Sequence, residues 1–238
     1  MAVPEPVAEH HHRNVQGGAA RAAVFGISDG LVSNVGLVLG MAGSGATPSF
    51  VRLAGLVSLV SGAFSMAAGE YLSMRAQTEL LEHELELERK EIRRNPKLER
   101  QELAAIYSSR GVDPELAEDL ATEMMRDPET ALETHAREEL GIDPGQLGSP
   151  VGAAVWSFFS FAVGALMPLL PWFVATGAAA TGASVVVGAA AAVFIGMALG
   201  RLTSRPPLRP ALRQVLVAGA AAGVGYALGS LIGGSTAV

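Results

Sequence analysis

The stretch from Gly148 to Gly200 constrains the fold most, because it contains no charged residue. At a rise of about 1.5 Å per residue, this stretch is long enough for two helices that each cross the ~30 Å core of a bilayer. Pro168 and Pro171 mark the expected turn between the two helices, and we expect Trp172 to lie at the membrane interface. A chain built around such a segment is predicted to be a membrane protein.

Three further apolar runs raise the predicted number of spans to five. The run at 22–41 has Asp29 as its only charge, and the run at 53–74 has only Glu70. The last run, 214–238, is uncharged. An overall hydrophobic content of 50% agrees with this membrane class.

The second span is expected to continue beyond the bilayer as one long helix. Neither Gly nor Pro occurs between Met74 and Pro96, although the polarity changes abruptly there. We therefore predict a helix that ends at about Arg94. Several glycine pairs have the small-xxx-small spacing that lets helices approach closely in lipid, namely Gly26 with Gly30, Gly36 with Gly40, and Gly219 with Gly223.

The charges are concentrated in one third of the chain. Residues 75–149 hold 10 Lys and Arg against 19 Asp and Glu, a net charge of −9, whereas the rest of the chain carries +3. Asp113-Pro114 and Asp127-Pro128 are typical helix starts, with an N-cap followed by a first-turn proline. Together with a helix restart at Asn95-Pro96, they predict a small helical domain within this acidic block.

The first twenty residues are polar and lack the pattern of a cleaved signal peptide. Three adjacent histidines at 10–12 could bind a metal weakly, but we interpret them as part of a polar tail without fixed ligand geometry. The chain has no cysteine, which excludes disulfides, thiolate metal sites and cysteine nucleophiles. Nothing in the sequence predicts a nucleic-acid partner.

Basic residues predict the orientation in the membrane. With a cytoplasmic N-terminus, sixteen Lys and Arg lie in inner segments, and Arg52 alone lies outside. Leaving out the acidic block still gives six against one, as the positive-inside rule expects. The acidic block is therefore predicted to be cytoplasmic and the C-terminus to lie outside.

Within the acidic block, carboxylates occur at spacings that place two ligands on one helix face. Such pairs are Glu88 with Glu91, Glu99 with Glu102, and His135 with Glu139. Carboxylate and imidazole ligands suit Fe(II), Mn(II) or Zn(II). On spacing alone, Glu84 with Glu88 and Asp119 with Glu123 are equally good pairs, and a solvated charged face explains all of them equally well.

The two carboxylates within the spans indicate function more directly, because an ionisable group in lipid costs at least about 2.5–3.5 kcal/mol. Asp29 and Glu70 are therefore expected to face a polar pathway or each other. Met66 lies one helical turn before Glu70, and its soft sulfur favours a transition metal over Mg(II) or Ca(II). Metal and protons would compete for such carboxylates. The alternatives are that the acids only pair with polar neighbours and that Met66 only packs.

Four motifs carry a resemblance that covers nearly the whole chain beyond about residue 21: SDGLVSNVGLVLG at 28–40, SGAFSMAAGEYLSM at 61–74, THAREELGIDP at 134–144 and GALMPLLPW at 164–172. The chain resembles the vacuolar iron transporter family of iron and manganese transporters. The resemblance implies a homodimer of five-helix protomers with a cytoplasmic metal-binding domain between the second and third spans. It also implies exchange of Fe(II) or Mn(II) for protons, with metal leaving the cytosol.

The resemblance also assigns residues. It implies a pore aspartate at Asp29, a pore methionine at Met66 and domain ligands at Glu88, Glu91, Glu99, Glu102 and Glu139. Two positions depart from plant members: His135 replaces a methionine, and Ser58 replaces a glutamate early in the second span. Glu70 is expected to supply that missing charge, unless the proton path differs.

The prediction is therefore an all-α, polytopic membrane protein that transports Fe2+ or Mn2+, with Zn2+ and Co2+ as further candidate ions, and is not an enzyme. We expect a homodimer in a lipid bilayer, specifically the bacterial inner membrane, with protons as coupling ion. The alternatives are a membrane-anchored metal sensor and a di-iron ferroxidase, although the Glu-x-x-His pairs of the latter are missing. The expected organisation is a polar tail at 1–20, spans 1 and 2 at 21–75, the cytoplasmic metal-binding domain at 76–147, and spans 3 to 5 at 148–238.

Overall fold

A computed structural model describes residues 18–146, 148–203 and 205–235, and within these ranges the chain is helical and has no strand. Five of the helices are long and apolar enough to cross a membrane, namely α1, α2, α6, α8 and α9. This confirms the predicted all-α, five-span fold. The helices are α1 (Gly18–Gly43), α2 (Pro48–Arg94), α3 (Pro96–Ser109), α4 (Pro114–Met124), α5 (Pro128–Glu138), α6 (Pro150–Leu169), α7 (Pro171–Val174), α8 (Gly177–Leu202) and α9 (Leu208–Ser235).

The chain divides into two compact units. One, which we call the membrane unit, comprises Met1–Glu70 and Val151–Val238, and the other, the acidic unit, comprises Tyr71–Pro150. Helix α2 is 47 residues long and ends at Arg94, as the absence of Gly and Pro after Met74 predicted. Each unit has its own core, and each holds one group of the predicted site residues.

The core of the membrane unit lies between α1, α8 and α9, where Leu31 and Val35 pack against Ala192 and Ile195. Backbone approaches backbone directly at the α1–α9 contact. A Cβ atom on Gly229 would collide with the carbonyl oxygen of Gly40, so only glycine fits at this position.

The glycines of α9 that allow this approach are not the predicted ones. A Cβ atom added at Gly219 or Gly223 would meet no atom within 4 Å. Gly225 and Gly229 lie on the α1-facing side of the helix instead, opposite Gly36 and Gly40. The spacing of four was correct, but the sequence did not reveal which face of α9 contacts α1.

The connection between α6 and α8 also differs from the prediction. Helix α6 continues through Pro168, and the four-residue α7 precedes α8. Trp172 is only 2% exposed and packs in a core cluster with Val38 and Val51, so this aromatic residue is buried within the protein. Its ring contributes to the packing of the helices and does not lie at a lipid-facing surface.

The last connection contains three prolines, and α9 begins earlier than expected. Pro210 lies within the first turn of α9, where a missing N–H breaks no helical hydrogen bond. It therefore does not break the helix, and Arg209 and Arg213 belong to α9.

The acidic unit is built from short helices with well-defined starts. The Asp113 carboxylate accepts hydrogen bonds from the backbone N–H of Glu115 and Leu116, and the Asp127 carboxylate accepts one from Thr130. Both predicted N-caps are confirmed. Two small apolar clusters hold these helices together: Leu103, Ala104 and Ala121, and Ile92, Ala131 and Leu132.

Candidate metal centre

The acidic unit gathers carboxylates around one buried histidine. The His135 side chain is 0% exposed, and its Nδ1 lies 3.1 Å from Glu88 Oε1 and 3.4 Å from Glu139 Oε2. Glu99 Oε2 lies 3.9 Å from the same nitrogen. Glu88 and Glu99 are themselves almost fully buried, which is rare for a carboxylate that has no functional or charged partner.

Local sequence explains how three helices meet here. Helix α2 ends at Arg94, and Pro96 occupies the first turn of α3, so the chain turns at Asn95 and brings α3 close to the end of α2. Glu88 lies near the end of α2 and Glu99 in the first turn of α3. His135 comes from the last turn of α5, and Ile92 at the end of α2 packs against that helix.

The spacing of the side-chain atoms suits a shared metal ion. One ligand atom each from Glu88, His135 and Glu139 lies within 4.8 Å of the other two. Two ligands bound to one ion at ~2.1 Å would lie roughly 3.0–3.4 Å apart. The distances from His135 Nδ1 to Glu88 and Glu139 already fall in this range, so an ion needs little rearrangement to bind these atoms.

The electrostatics of the cluster favour a cation at its centre. Burial raises the pKa of the Glu99 carboxyl, and the negative charge of Glu88 raises it further. Burial and the charge of Glu88 likewise raise the pKa of Glu139. Burial opposes protonation of His135, but its hydrogen bond to Glu88 and the surrounding carboxylates outweigh burial and raise the histidine pKa. The raised pKa values favour the protonated forms of these groups, so a divalent ion that binds them competes with protons.

The other two predicted ligands of the domain lie at the edge of this cluster. Glu91 and Glu102 are exposed, yet their charges contribute to the raised pKa of Glu99. The alternative pair Asp119 and Glu123 is exposed, and Glu123 pairs with Arg126 at 2.9 Å. The structure therefore brings four of the six predicted residues into direct contact and places two around them.

The three site residues predicted in the spans line one cavity of the membrane unit. It has a volume of about 480 Å³ and is lined by Asp29, Met66 and Glu70 together with several serines. Met66 also packs against a core cluster that includes Phe161, so it contributes to packing as well as lining the cavity. Ser33 Oγ donates to Asp29 Oδ1 at 3.4 Å.

Asp29 and Glu70 do not pair with each other but have different partners. The Arg21 guanidinium lies 2.9 Å from Glu70 Oε1, an ion pair within the membrane unit. Among the described residues, no cation forms an ion pair with Asp29. One carboxylate of the cavity is thus neutralised by an arginine, and the other is available to a cation from solution.

Sequence reasoning missed three residues that line this cavity or pair with its lining, namely Ser61, Ser65 and Arg21. Arg21 was used only to predict the orientation, because a contact across 49 residues has no signal in helix spacing. Ser61 and Ser65 also line the cavity, one turn apart on α2 and on the same side as Met66 and Glu70. The recurrence of serine at 58, 61 and 65 in an apolar span could have indicated this lining, since serine hydroxyls in spans usually face a polar group of a neighbouring helix.

Comparison with known proteins identifies the family. The sequence matches the VIT family over residues 20–230. The chain belongs to this family. It is 32% identical to Vacuolar iron transporter 1 of Oryza sativa subsp. japonica over 202 residues, which is 83% of this chain and 80% of that protein.

Other family relatives agree. The chain is 38% identical to the Vacuolar iron transporter of Acanthamoeba castellanii over 67% of its own length and 58% of that protein. It is 30% identical to Vacuolar iron transporter 1 of Arabidopsis thaliana over 84% of its length and 81% of that protein. These relatives are named as transporters, in agreement with the prediction that the chain is not an enzyme.

Proposed function

We propose that this VIT-family member is a divalent transition-metal transporter that exchanges Fe2+ or Mn2+ for protons and moves metal out of the cytosol. The single observation that carries the proposal is the cavity between spans that is lined by Asp29, Met66 and Glu70. The names of the relatives as vacuolar iron transporters support iron as cargo.

The chemistry of the cavity fits a transition metal better than Mg2+ or Ca2+. A thioether from Met66 is a soft ligand, which hard ions do not prefer, whereas Fe2+ and Mn2+ accept carboxylate oxygen together with a softer donor. Serine hydroxyls around Asp29 add further oxygen ligands. Zn2+ and Co2+ meet the same requirements and are secondary candidates.

Proton exchange follows from the unequal partners of the two carboxylates. A divalent ion at Asp29 would compete with protons for the carboxylate, because an unpaired charge within a span is costly. Glu70 is already compensated by Arg21 and can bind a metal only when that ion pair opens. A divalent ion that binds in the cavity would therefore compete with a proton at Asp29. At Glu70 it would replace the Arg21 guanidinium as the partner of the carboxylate.

The acidic unit would supply the metal. Its cluster of Glu88, Glu99, His135 and Glu139 would bind the ion first, with Glu91 and Glu102 at the edge attracting it by charge. The positive-inside rule supports a cytoplasmic acidic unit and an external C-terminus. We further propose that the protein is a homodimer in the bacterial inner membrane.

Flux measurements in proteoliposomes test the proposal. Purified protein should carry Fe2+ or Mn2+ into the lumen in a manner that depends on an imposed pH gradient, and Asp29→Ala should abolish that flux. Asp119→Ala is the matched control, because it removes an exposed acid outside the cavity and should leave the flux unchanged. A metal flux that does not depend on the pH gradient and is unchanged in Asp29→Ala would contradict the proposal.

The same preparation separates the alternatives. A membrane-anchored metal sensor would bind Fe2+ but give no flux at any gradient. A ferroxidase would consume oxygen when Fe2+ is added, whereas a carrier would not. Parallel measurement with Fe2+, Mn2+ and Zn2+ would identify the preferred ion.

A further inference from the structure

Four arginines spaced four residues apart lie in or next to the connection between α8 and α9, and the transport proposal does not use them. Arg201 lies in the last turn of α8, Arg205 in the connection, and Arg209 and Arg213 in the first two turns of α9. Within the described residues, none of the four forms an ion pair with a carboxylate. All four are exposed, and together they form a concentration of positive charge that attracts anions.

Three of these arginines line a cavity of about 570 Å³, together with Thr203, Pro206 and Pro210. This volume lies within the range of small-molecule sites. Arg201 is not among the residues that line it. The cavity therefore distinguishes three arginines that line it from a neighbouring arginine that carries the same charge.

The wall of this cavity is held by close backbone contacts. The backbone N–H of Arg205 donates to the carbonyl oxygen of Gly200 at 2.9 Å. A Cβ atom on Gly200 would lie 2.7 Å from Pro207 Cα, so the connection lies directly against α8. These contacts hold the backbone of Arg205 and Pro207 against α8, which lowers the entropic cost of binding at this wall.

The chemistry of the lining selects phosphate. Arginine binds phosphate oxygens through two parallel N–H groups, and several arginines around one cavity favour a ligand with more than one acceptor oxygen. The N-terminus of α9, a helix of 28 residues, adds a partial positive charge beside Arg209. A metal cation would be repelled by the same groups.

The surroundings favour a phospholipid over free phosphate. Both helices that bear the arginines are candidate membrane spans, so the cavity lies where apolar helix meets polar connection, at headgroup depth. Leu208, Leu212 and Leu216 form an exposed strip along α9, beginning at the turn that carries Arg209. An acyl chain can lie on this strip while its phosphate occupies the cavity.

We propose that the cavity formed by Arg205, Arg209 and Arg213 binds the phosphate headgroup of an anionic phospholipid. This site lies entirely within the membrane unit and is separate from the cavity lined by Asp29. It would anchor the α8–α9 corner at one surface of the bilayer.

Native mass spectrometry of the full-length protein tests the proposal, with lipids added back to delipidated protein in detergent. Phosphatidylglycerol should form adducts at concentrations at least about tenfold lower than phosphatidylcholine with the same acyl chains. Replacing both Arg209 and Arg213 by Gln should weaken phosphatidylglycerol binding roughly tenfold or more, because charge-assisted hydrogen bonds are lost. Arg201→Gln, the matched control, should change it less than twofold.

Three outcomes would overturn the proposal. Equal binding of the two lipids, or an equal loss from Arg201→Gln, would mean that the arginines act only through general charge. Displacement of phosphatidylglycerol by inorganic phosphate at similar concentrations would mean that the site serves a soluble anion. If the double variant does not fold, Arg209→Lys replaces it, since it keeps the charge but loses the paired N–H groups and should weaken binding several-fold.

Discussion

The membrane unit and the acidic unit differ in the number, the burial and the partners of their carboxylates. The described part of the membrane unit has only two acids, and Arg21 neutralises one of them. The acidic unit has many acids, most of them exposed, yet three of them lie against a single buried imidazole. In lipid the rarity of an acid marks it as functional, whereas in the acidic unit only burial and convergence distinguish a functional acid from a solvated one.

The two units also differ in what holds them together. Helices of the membrane unit meet backbone to backbone through glycine, because lipid provides no hydrophobic drive for association. The acidic unit relies on capped helices around small apolar clusters. Substitutions should therefore affect the two units through different mechanisms, and paired variants can test this difference.

The largest effect is expected from Gly229→Val. The added Cβ would collide with the backbone of Gly40, which cannot move without separating α1 from α9. We expect a loss of stability of about 3 kcal/mol or more and little folded protein, measured as monodisperse yield and thermal unfolding in detergent. Gly223→Val is the control, because open space surrounds that position, and equal damage from both variants would contradict the observed helix face.

The next largest effect is expected from His135→Ala. Removing the imidazole takes away the central ligand and leaves the Glu88 and Glu99 carboxylates buried close to one another. Affinity for Mn2+ at this site should fall by roughly 100-fold or more, beyond the 10–100-fold typical of an outer-shell partner. Calorimetric titration of the full chain measures it, and His83→Ala, which removes an exposed histidine of the same unit, should have no effect.

A smaller but diagnostic effect is expected from pH. The pKa values of His135, Glu99 and Glu139 are all raised, so metal is expected to compete with protons for the cluster. Affinity should rise by up to about tenfold per pH unit as pH increases through the histidine pKa, which lies above its usual 6.5. Titrations in buffers of different ionisation enthalpy should reveal released protons, and a pH-independent affinity would contradict this view of the cluster.

The raised pKa values also determine whether the metal-free acidic unit becomes more or less stable as pH rises. A group whose folded-state pKa is raised binds more protons when folded than when unfolded. The contribution of His135 is therefore fully present below pH 6.5 and is lost as pH rises through the raised pKa. Added Mn2+ should stabilise the acidic unit more at alkaline pH than at acidic pH.

The smallest effect is expected from Arg21→Gln. Removing the guanidinium leaves Glu70 without its ion-pair partner and gives a metal ion access to a second carboxylate of the cavity. The apparent KM for Mn2+ flux should fall several-fold, whereas Arg201→Gln, outside the cavity, should leave it unchanged. An unchanged KM in Arg21→Gln would argue that Glu70 does not contact the transported ion.

Much of the fold was predictable because it depends on properties within one segment. Hydropathy located the spans, the absence of Gly and Pro before Pro96 predicted the length of α2, and aspartate followed by proline predicted two helix starts. The burial of Trp172 was not predictable in this way, because it depends on contacts with Val38 and Val51, far away in sequence.

The site was less predictable for the same reason. Spacing along a helix identifies which residues share a face, and it grouped His135 with Glu139, which lie 3.4 Å apart. It cannot tell which faces of α2, α3 and α5 meet, and this decides that Glu88 and Glu99 are buried while Glu91 and Glu102 are exposed. Resemblance to a family supplied the choice among acids that spacing left open.

Because Trp172 is buried, its fluorescence can be distinguished from that of the other tryptophan. The chain has two tryptophans, both in the membrane unit, and Trp156 is 58% exposed whereas Trp172 is 2% exposed. Brominated acyl chains should quench Trp156 and spare Trp172, so the two emissions can be separated without labels. Because the acidic unit contains no tryptophan, any change in Trp172 emission when metal is added would report a rearrangement of the spans themselves.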